Sequence, residues 1–125
     1  MKKKKTKDLI EVEINMYVAK DVGLKEAILY ENIKFWCDTN QKSNKYFRDG
    51  YYWTFASKRK LAELFTFWTE RRIATMIKNL VRKEYIVLRN FNKDKFDKTK
   101  WYRINKKIIP NGDMFIVPKI NLKIT

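Results

Sequence analysis

With 125 residues, 45% hydrophobic and 34% charged, the chain has the length for one domain and the apolar content to give it a core. Twenty-nine Lys and Arg against 14 Asp and Glu leave a formal net charge of +15, which points to polyanionic partners, nucleic acid before an anionic membrane surface. The absence of His excludes a Ser-His-Asp triad, a His general base and a His-ligated metal, and a single Cys37 excludes an internal disulfide and a Cys-rich zinc site, so no metal or cofactor is expected.

Residues 1–8 read as a flexible lysine-rich arm. From 9 to 18, Ile10, Val12, Ile14, Met16 and Val18 alternate with mostly polar neighbours, the period of a strand. Asp21 and Gly23 precede a helix over 24–39. Its apolar residues fall on two sides: Leu24, Ala27, Ile28 and Phe35 on one, Leu29, Ile33 and Trp36 on the other. A helix apolar on two sides is either covered from both or shared with a second subunit. A homodimer centred on Leu29, Ile33 and Trp36 is therefore expected, with a return of the chain ends onto their own helix as the alternative.

A polar connector over 40–50 leads to a short β-prone segment at 51–55. Ser57 is the expected N-cap of a short helix over 58–65, with Leu61, Leu64 and Phe65 inward. Thr66-Phe67-Trp68 interrupts it. Thr69 then caps a longer helix reaching about residue 84, Glu70 suits its positive end, and Trp68 and Ile73 are placed for a hydrophobic staple. Strands at 85–91 and 100–105 flank a charged loop at 92–99. The extension at 106–125 carries two short strand candidates, 114–117 and 120–124. They are candidates to pair with residues 9–18 or with a partner subunit.

The net charge is unevenly placed. Residues 21–56 are neutral, and eleven of the fifteen net positive charges lie between 57 and 109. The longer helix divides its sides accordingly. Ile73, Met76, Ile77 and Leu80 share one face, while Arg71, Thr75, Lys78 and Arg82 line the opposite one, flanked by Arg72, Ala74 and Asn79. Alone, that is an ordinary amphipathic helix with a solvated basic face. Set after a short helix and a three-residue turn, and before a basic hairpin, it follows the order of a winged helix-turn-helix.

The expected fold is thus α+β. It has three main helices, a small antiparallel sheet made of the short strand and the wing hairpin, and extra strand-like terminal segments, with residues 9–105 forming the domain. Arg71, Arg72, Thr75 and Asn79 are the base-reading candidates, since Arg can bridge guanine, Asn can pair with adenine and the Thr methyl can touch that of thymine. Backbone candidates are Ser57, Lys58 and Arg59 at the start of the short helix, Thr69, Lys78 and Arg82 on the longer one, and Arg89, Lys93, Lys95, Lys98 and Lys100 on the hairpin. The cap and the loop read equally as structural features. Three of the four Trp residues fall within strand or helix patterns, which favours packing over base stacking.

Four stretches bring a family into view: Glu26-Ala27-Ile28-Leu29 with Phe35-Trp36, Asp49-Gly50-Tyr51-Tyr52-Trp53, Phe67-Trp68-Thr69-Glu70-Arg71-Arg72-Ile73, and Asn90-Phe91-Asn92-Lys93 with Asp97-Lys98-Thr99-Lys100-Trp101-Tyr102. Over residues 9–105 the chain resembles the amino-terminal domain of DnaD-like replisome organisers and replication initiators of low-GC Gram-positive bacteria and their phages. The resemblance implies a winged-helix fold, origin DNA binding and self-association. Family members commonly carry a glycine where the long helix ends, and this chain has Lys83-Glu84-Tyr85 there.

The expected protein is a non-enzymatic DNA-binding protein of a phage or mobile element, dimeric, and acting in replication initiation or organisation. Its expected partner is double-stranded DNA, with single-stranded DNA or replication proteins as further candidates. The alternatives are a transcriptional regulator of the same fold and a phage protein that modulates a host protein or nucleoprotein complex. No run of apolar residues has transmembrane length and no signal peptide is read, so a cytoplasmic location in a bacterial host is expected.

Overall fold

The computed structural model describes residues 9–97, 99–105 and 114–121; Lys98, the 1–8 arm and residues 106–113 and 122–125 lie outside the described residues. The described part is α+β, with four helices and antiparallel strand pairings.

Strand β1 (Leu9–Asn15) ends earlier than the alternation predicts, and residues Met16–Val22 form helix α1. The reason is Asn15. Its side-chain oxygen accepts from the backbone N–H of Tyr17 at 2.9 Å and of Val18 at 3.1 Å, an N-cap that turns the chain into a helix. Ile14 and Val18 are both buried, so the same apolar residues serve a strand end and a helix face. Helix α2 (Leu24–Lys42) starts at once after Gly23. Gly23 has φ +124°, which favours glycine, and a Cβ there would sit 2.5 Å from Glu26 Oε1 and push that side chain aside.

Both apolar sides of α2 are partly covered within the chain. Helix α1 and strand β1 pack on it, as do helix α4 (Glu70–Arg82) and strand β6 (Lys100–Ile104). Leu29 and Ile33 are 0% and 2% exposed in the chain's own core, which corrects their placement at a dimer centre. Of the three candidates Trp36 alone is exposed, edge-to-face with Phe35. A helical wheel records apolar character but not which neighbour covers it. Leu24 and Phe35, grouped with Ala27 by the wheel, stand exposed.

The polar connector contains a strand. Strands β2 (Phe47–Arg48) and β3 (Tyr51–Tyr52) pair across Asp49-Gly50, both with positive φ, as a tight hairpin turn requires. The β-prone segment then breaks at Trp53, and β4 (Thr54–Ala56) follows. Trp53 is 2% exposed and is fixed at three points. Its backbone N–H donates to Tyr46 O, its indole N–H donates to Arg48 O at 2.9 Å, and its carbonyl accepts from Asn40.

Helix α3 (Lys58–Leu64) is capped by Ser57, and its Leu61 points inward with Phe65, whereas Leu64 is 58% exposed rather than inward. Helix α4 is capped at its start by Thr69 and followed, past Lys83, by a left-handed residue. Glu84 has φ +67°, its N–H donates to Val81 O, and Tyr85 N–H donates to Leu80 O, both at 2.9 Å. That pair of bonds is the Schellman motif, normally built on glycine. Strand β5 (Ile86–Arg89) and β6 complete a three-stranded antiparallel sheet in the order β4–β6–β5.

The two strand candidates of the extension form one strand, β7 (Met114–Asn121), paired antiparallel with β1. Ile10 faces Ile120 and Val12 faces Val117, so β7 carries one extra residue between them. Pro118 falls in this bulge, where its missing N–H interrupts no regular ladder.

Candidate nucleic-acid interface

Helix α4 is held by one face. Ile73, Met76, Ile77 and Leu80 are at most 7% exposed, packed towards α2, α3 and β5. Burying four such side chains anchors a helix too short to persist alone in water. Its opposite face carries Arg71, Arg72, Thr75, Lys78 and Arg82, all exposed. Among the described residues, no acidic side chain pairs with Arg71, Arg72, Lys78 or Arg82. The Thr75 hydroxyl donates back to Arg71 O at 3.2 Å, leaving its methyl as the outward group. Thr69 caps the helix by accepting from Arg72 N–H at 3.1 Å, so its oxygen is already engaged.

Asn79 departs from its expected place. It is half-buried, its side-chain N–H₂ donates to Glu26 Oε2 at 3.0 Å and its oxygen accepts from Arg82 at 3.1 Å. Both ends of the amide are used within the molecule, which corrects its assignment as a free base reader. Glu26 itself is 5% exposed in the first turn of α2, and sequence reasoning missed it. A lone Glu in a first turn reads as dipole complement, and no sequence signal places it opposite a residue 53 positions later.

At the start of α3, Ser57 Oγ accepts from Lys60 N–H, and Lys58 and Arg59 are exposed. Arg59 lies 3.6 Å from Glu63, an exposed pair that weakens its availability only slightly.

The hairpin loop is internally tied. Asn92 N–H donates to Asn90 Oδ1, and the Asn92 side chain donates to the carbonyls of Asp97 and Thr99 at 3.0 and 2.8 Å while accepting from the Trp101 indole at 2.9 Å. Asp94 accepts from Phe96 N–H through its carboxylate and from Asp97 N–H through its carbonyl. Asp97 accepts from Thr99 N–H at 3.0 Å, and that bond holds its carboxyl below the usual range. Lys93, Lys95 and Lys100 are exposed on this frame, and so is Arg89, whose guanidinium donates to Leu88 O. Sequence reasoning read the lysines here and missed the two Asn and two Asp that order them. The recurrent Asx residues were the available signal.

The face of the sheet turned away from the core is covered by aromatic and arginine side chains. Trp101 meets Phe55 at 4.9 Å, Phe91 at 5.3 Å and Tyr46 at 6.0 Å, while Arg103 lies 3.7 Å above the Tyr51 ring and Arg48 lies over Trp101. Trp53 and Trp101 are buried here and Trp68 is half-buried against the core. These stacks fill each other's faces and act in packing.

Among the described residues, no group of three or more Cys, Asp or Glu is gathered as a metal site would be. No helix among them is long and apolar enough to cross a membrane. No family model, curated protein or solved structure matches the chain.

Proposed function

We propose that this chain is a non-enzymatic winged helix-turn-helix protein that binds double-stranded DNA. In this reading α3 and α4 are the helix-turn-helix, α4 enters the major groove, and the β5–β6 loop is the wing. The observation that carries it is α4, anchored on the core along one face and presenting on the other four cations that have no acidic partner among the described residues. The strand order β4–β6–β5, with β4 ahead of α3 and the β5–β6 hairpin after α4, supports the same reading.

The expected role is replication initiation or organisation. It rests on the resemblance to DnaD-like domains in the four stretches quoted above. Arg71, Arg72 and Thr75 are the base readers. Lys78 and Arg82, with Lys58, Arg59, Arg89, Lys93, Lys95, Lys98 and Lys100, meet phosphates.

The test is fluorescence anisotropy on labelled duplexes across a salt series, after a target is recovered by sequencing genomic DNA captured with the protein. Arg71→Ala with Thr75→Ala should reduce the preference for that target by about 1–3 kcal/mol per lost base contact. Lys93, Lys95 and Lys98 changed together to Ala should weaken all duplexes and flatten log K against log salt by about 0.9 per lost phosphate contact. A wild-type protein that binds no duplex at low salt ends the proposal. Captured DNA carrying repeats of an origin supports replication, and captured promoters support the regulator.

A further inference from the structure

The loop between β5 and β6 ends in a side chain that the basic surface alone does not explain. Phe96 is 76% exposed, the most exposed large apolar side chain among the described residues. Five other exposed aromatics in that group differ from it. Phe35 and Trp36 pack edge-to-face, Phe47 packs tilted against Tyr52, and Tyr46 and Phe55 pack on each other and on Trp101. Phe96 has no ring partner among the described residues, and beside it lies a cation, Lys95 Nζ, 5.9 Å from the ring centroid.

The ring is not on a loose tip. The backbone N–H of Phe96 donates to Asp94 Oδ1 at 2.9 Å, that of Asp97 donates to Asp94 O at 3.0 Å, and Asn92 ties the far side of the loop to Thr99 O and to the Trp101 indole. An ordered loop that holds an apolar ring in water has already met the entropy cost that binding would otherwise impose. Exposed Lys93 and Lys95 stand on either side of Asp94, immediately before the ring in the chain, placed for phosphates.

We propose that Phe96 is a stacking wedge at the tip of the wing. It inserts against an unstacked or unpaired base while Lys93 and Lys95 hold the flanking phosphates. The ligand class is duplex DNA with an opened or easily unstacked step, since an aromatic ring gains from a base only where the stack is broken. This rests on the DNA-binding reading above, and it adds strand opening to site binding.

The experiment compares affinity for one duplex in two forms, fully paired and with a central unpaired bubble, for the full chain and for Phe96→Ala and Phe96→Trp. The wild type should prefer the bubble by about five- to a hundredfold, the range of one base–aromatic stack. Phe96→Ala should lose that preference and keep its affinity and salt slope on the paired duplex, and Phe96→Trp should retain the preference. Because the ring packs against no core residue, both variants should melt at the wild-type temperature, and the melt is measured alongside.

Equal affinity of the wild type for both forms overturns the wedge and leaves the DNA-binding reading standing. Loss of affinity for both forms in Phe96→Ala also overturns it, since the ring would then only shape the loop. Binding of the wild type to phosphatidylglycerol vesicles that Phe96→Ala abolishes, with the bubble preference unchanged, assigns the ring to a membrane surface instead. A wild type that binds neither duplex form removes the DNA-binding reading itself.

Discussion

Glu84 occupies a left-handed conformation, φ +67°, that costs a residue with a β-carbon about 1–2 kcal/mol. It also puts a carboxylate at the negative end of α4. Glu84→Gly removes both costs, against about 0.4–1 kcal/mol of added freedom in the unfolded chain. A net gain of about 0.5–1 kcal/mol is expected, read as a higher urea midpoint with an unchanged slope. Cys37 makes the second case at this scale. Its thiol donates to Tyr102 O at 3.6 Å, and burial pushes its pKa up from 9.0 to about 11. Burial likewise raises Tyr30 and Tyr102 to about 12. In each, the folded pKa lies above the unfolded one, so the unfolded chain loses its proton first. Stability is therefore full below pH 9 and falls as pH rises towards 11, and Cys37→Ala should flatten the first part of that fall in melts taken across this window.

Helix α2 shows how an element's surroundings decide what its faces do. Its sequence supports a subunit interface as readily as a core, because Leu29, Ile33 and Trp36 form a continuous apolar side. Leu29 is fully buried beneath the chain's own elements, and Trp36 is 45% exposed. Leu29→Ala should accordingly cost about 2–5 kcal/mol of folding stability. Trp36→Ala should stay within about 1 kcal/mol, since the ring keeps solvent on one side. Equal effects from the two would place both on one shared surface. Helix α4 was legible in far more detail. Thr69, the four core positions and the basic stripe all lie where the 3.6-residue period puts them. A helix with one polar and one apolar face leaves a single way to bury itself, whereas a helix apolar on both sides leaves the choice to its neighbours.

Across the whole molecule the charge of +15 acts in two directions. It draws polyanions, and it strains the folded state by self-repulsion. The four described salt bridges are too few and too exposed to offset it. Moderate NaCl should therefore raise the melting temperature of the free protein while lowering its affinity for DNA, two opposite slopes read by calorimetry and anisotropy on one salt series. A melting temperature that falls with salt would mean that the described ion pairs outweigh the repulsion.

What the residues determined by themselves is local and periodic. The caps at Ser57 and Thr69, the inward face of α4, the basic charge gathered between 57 and 109 and the hairpin after it all follow from spacing and side-chain chemistry within a turn or two. What tertiary structure decided is every pairing across long sequence distances. β7 joins β1 through a bulge at Pro118, α1, β1, α4 and β6 pack on α2 and leave Leu29 and Ile33 buried, and Asn79 donates to the buried Glu26. A residue's spacing says which way it faces along its own element. Whether that face meets water, another strand or a buried carboxylate depends on elements far away in the chain, which periodicity does not encode.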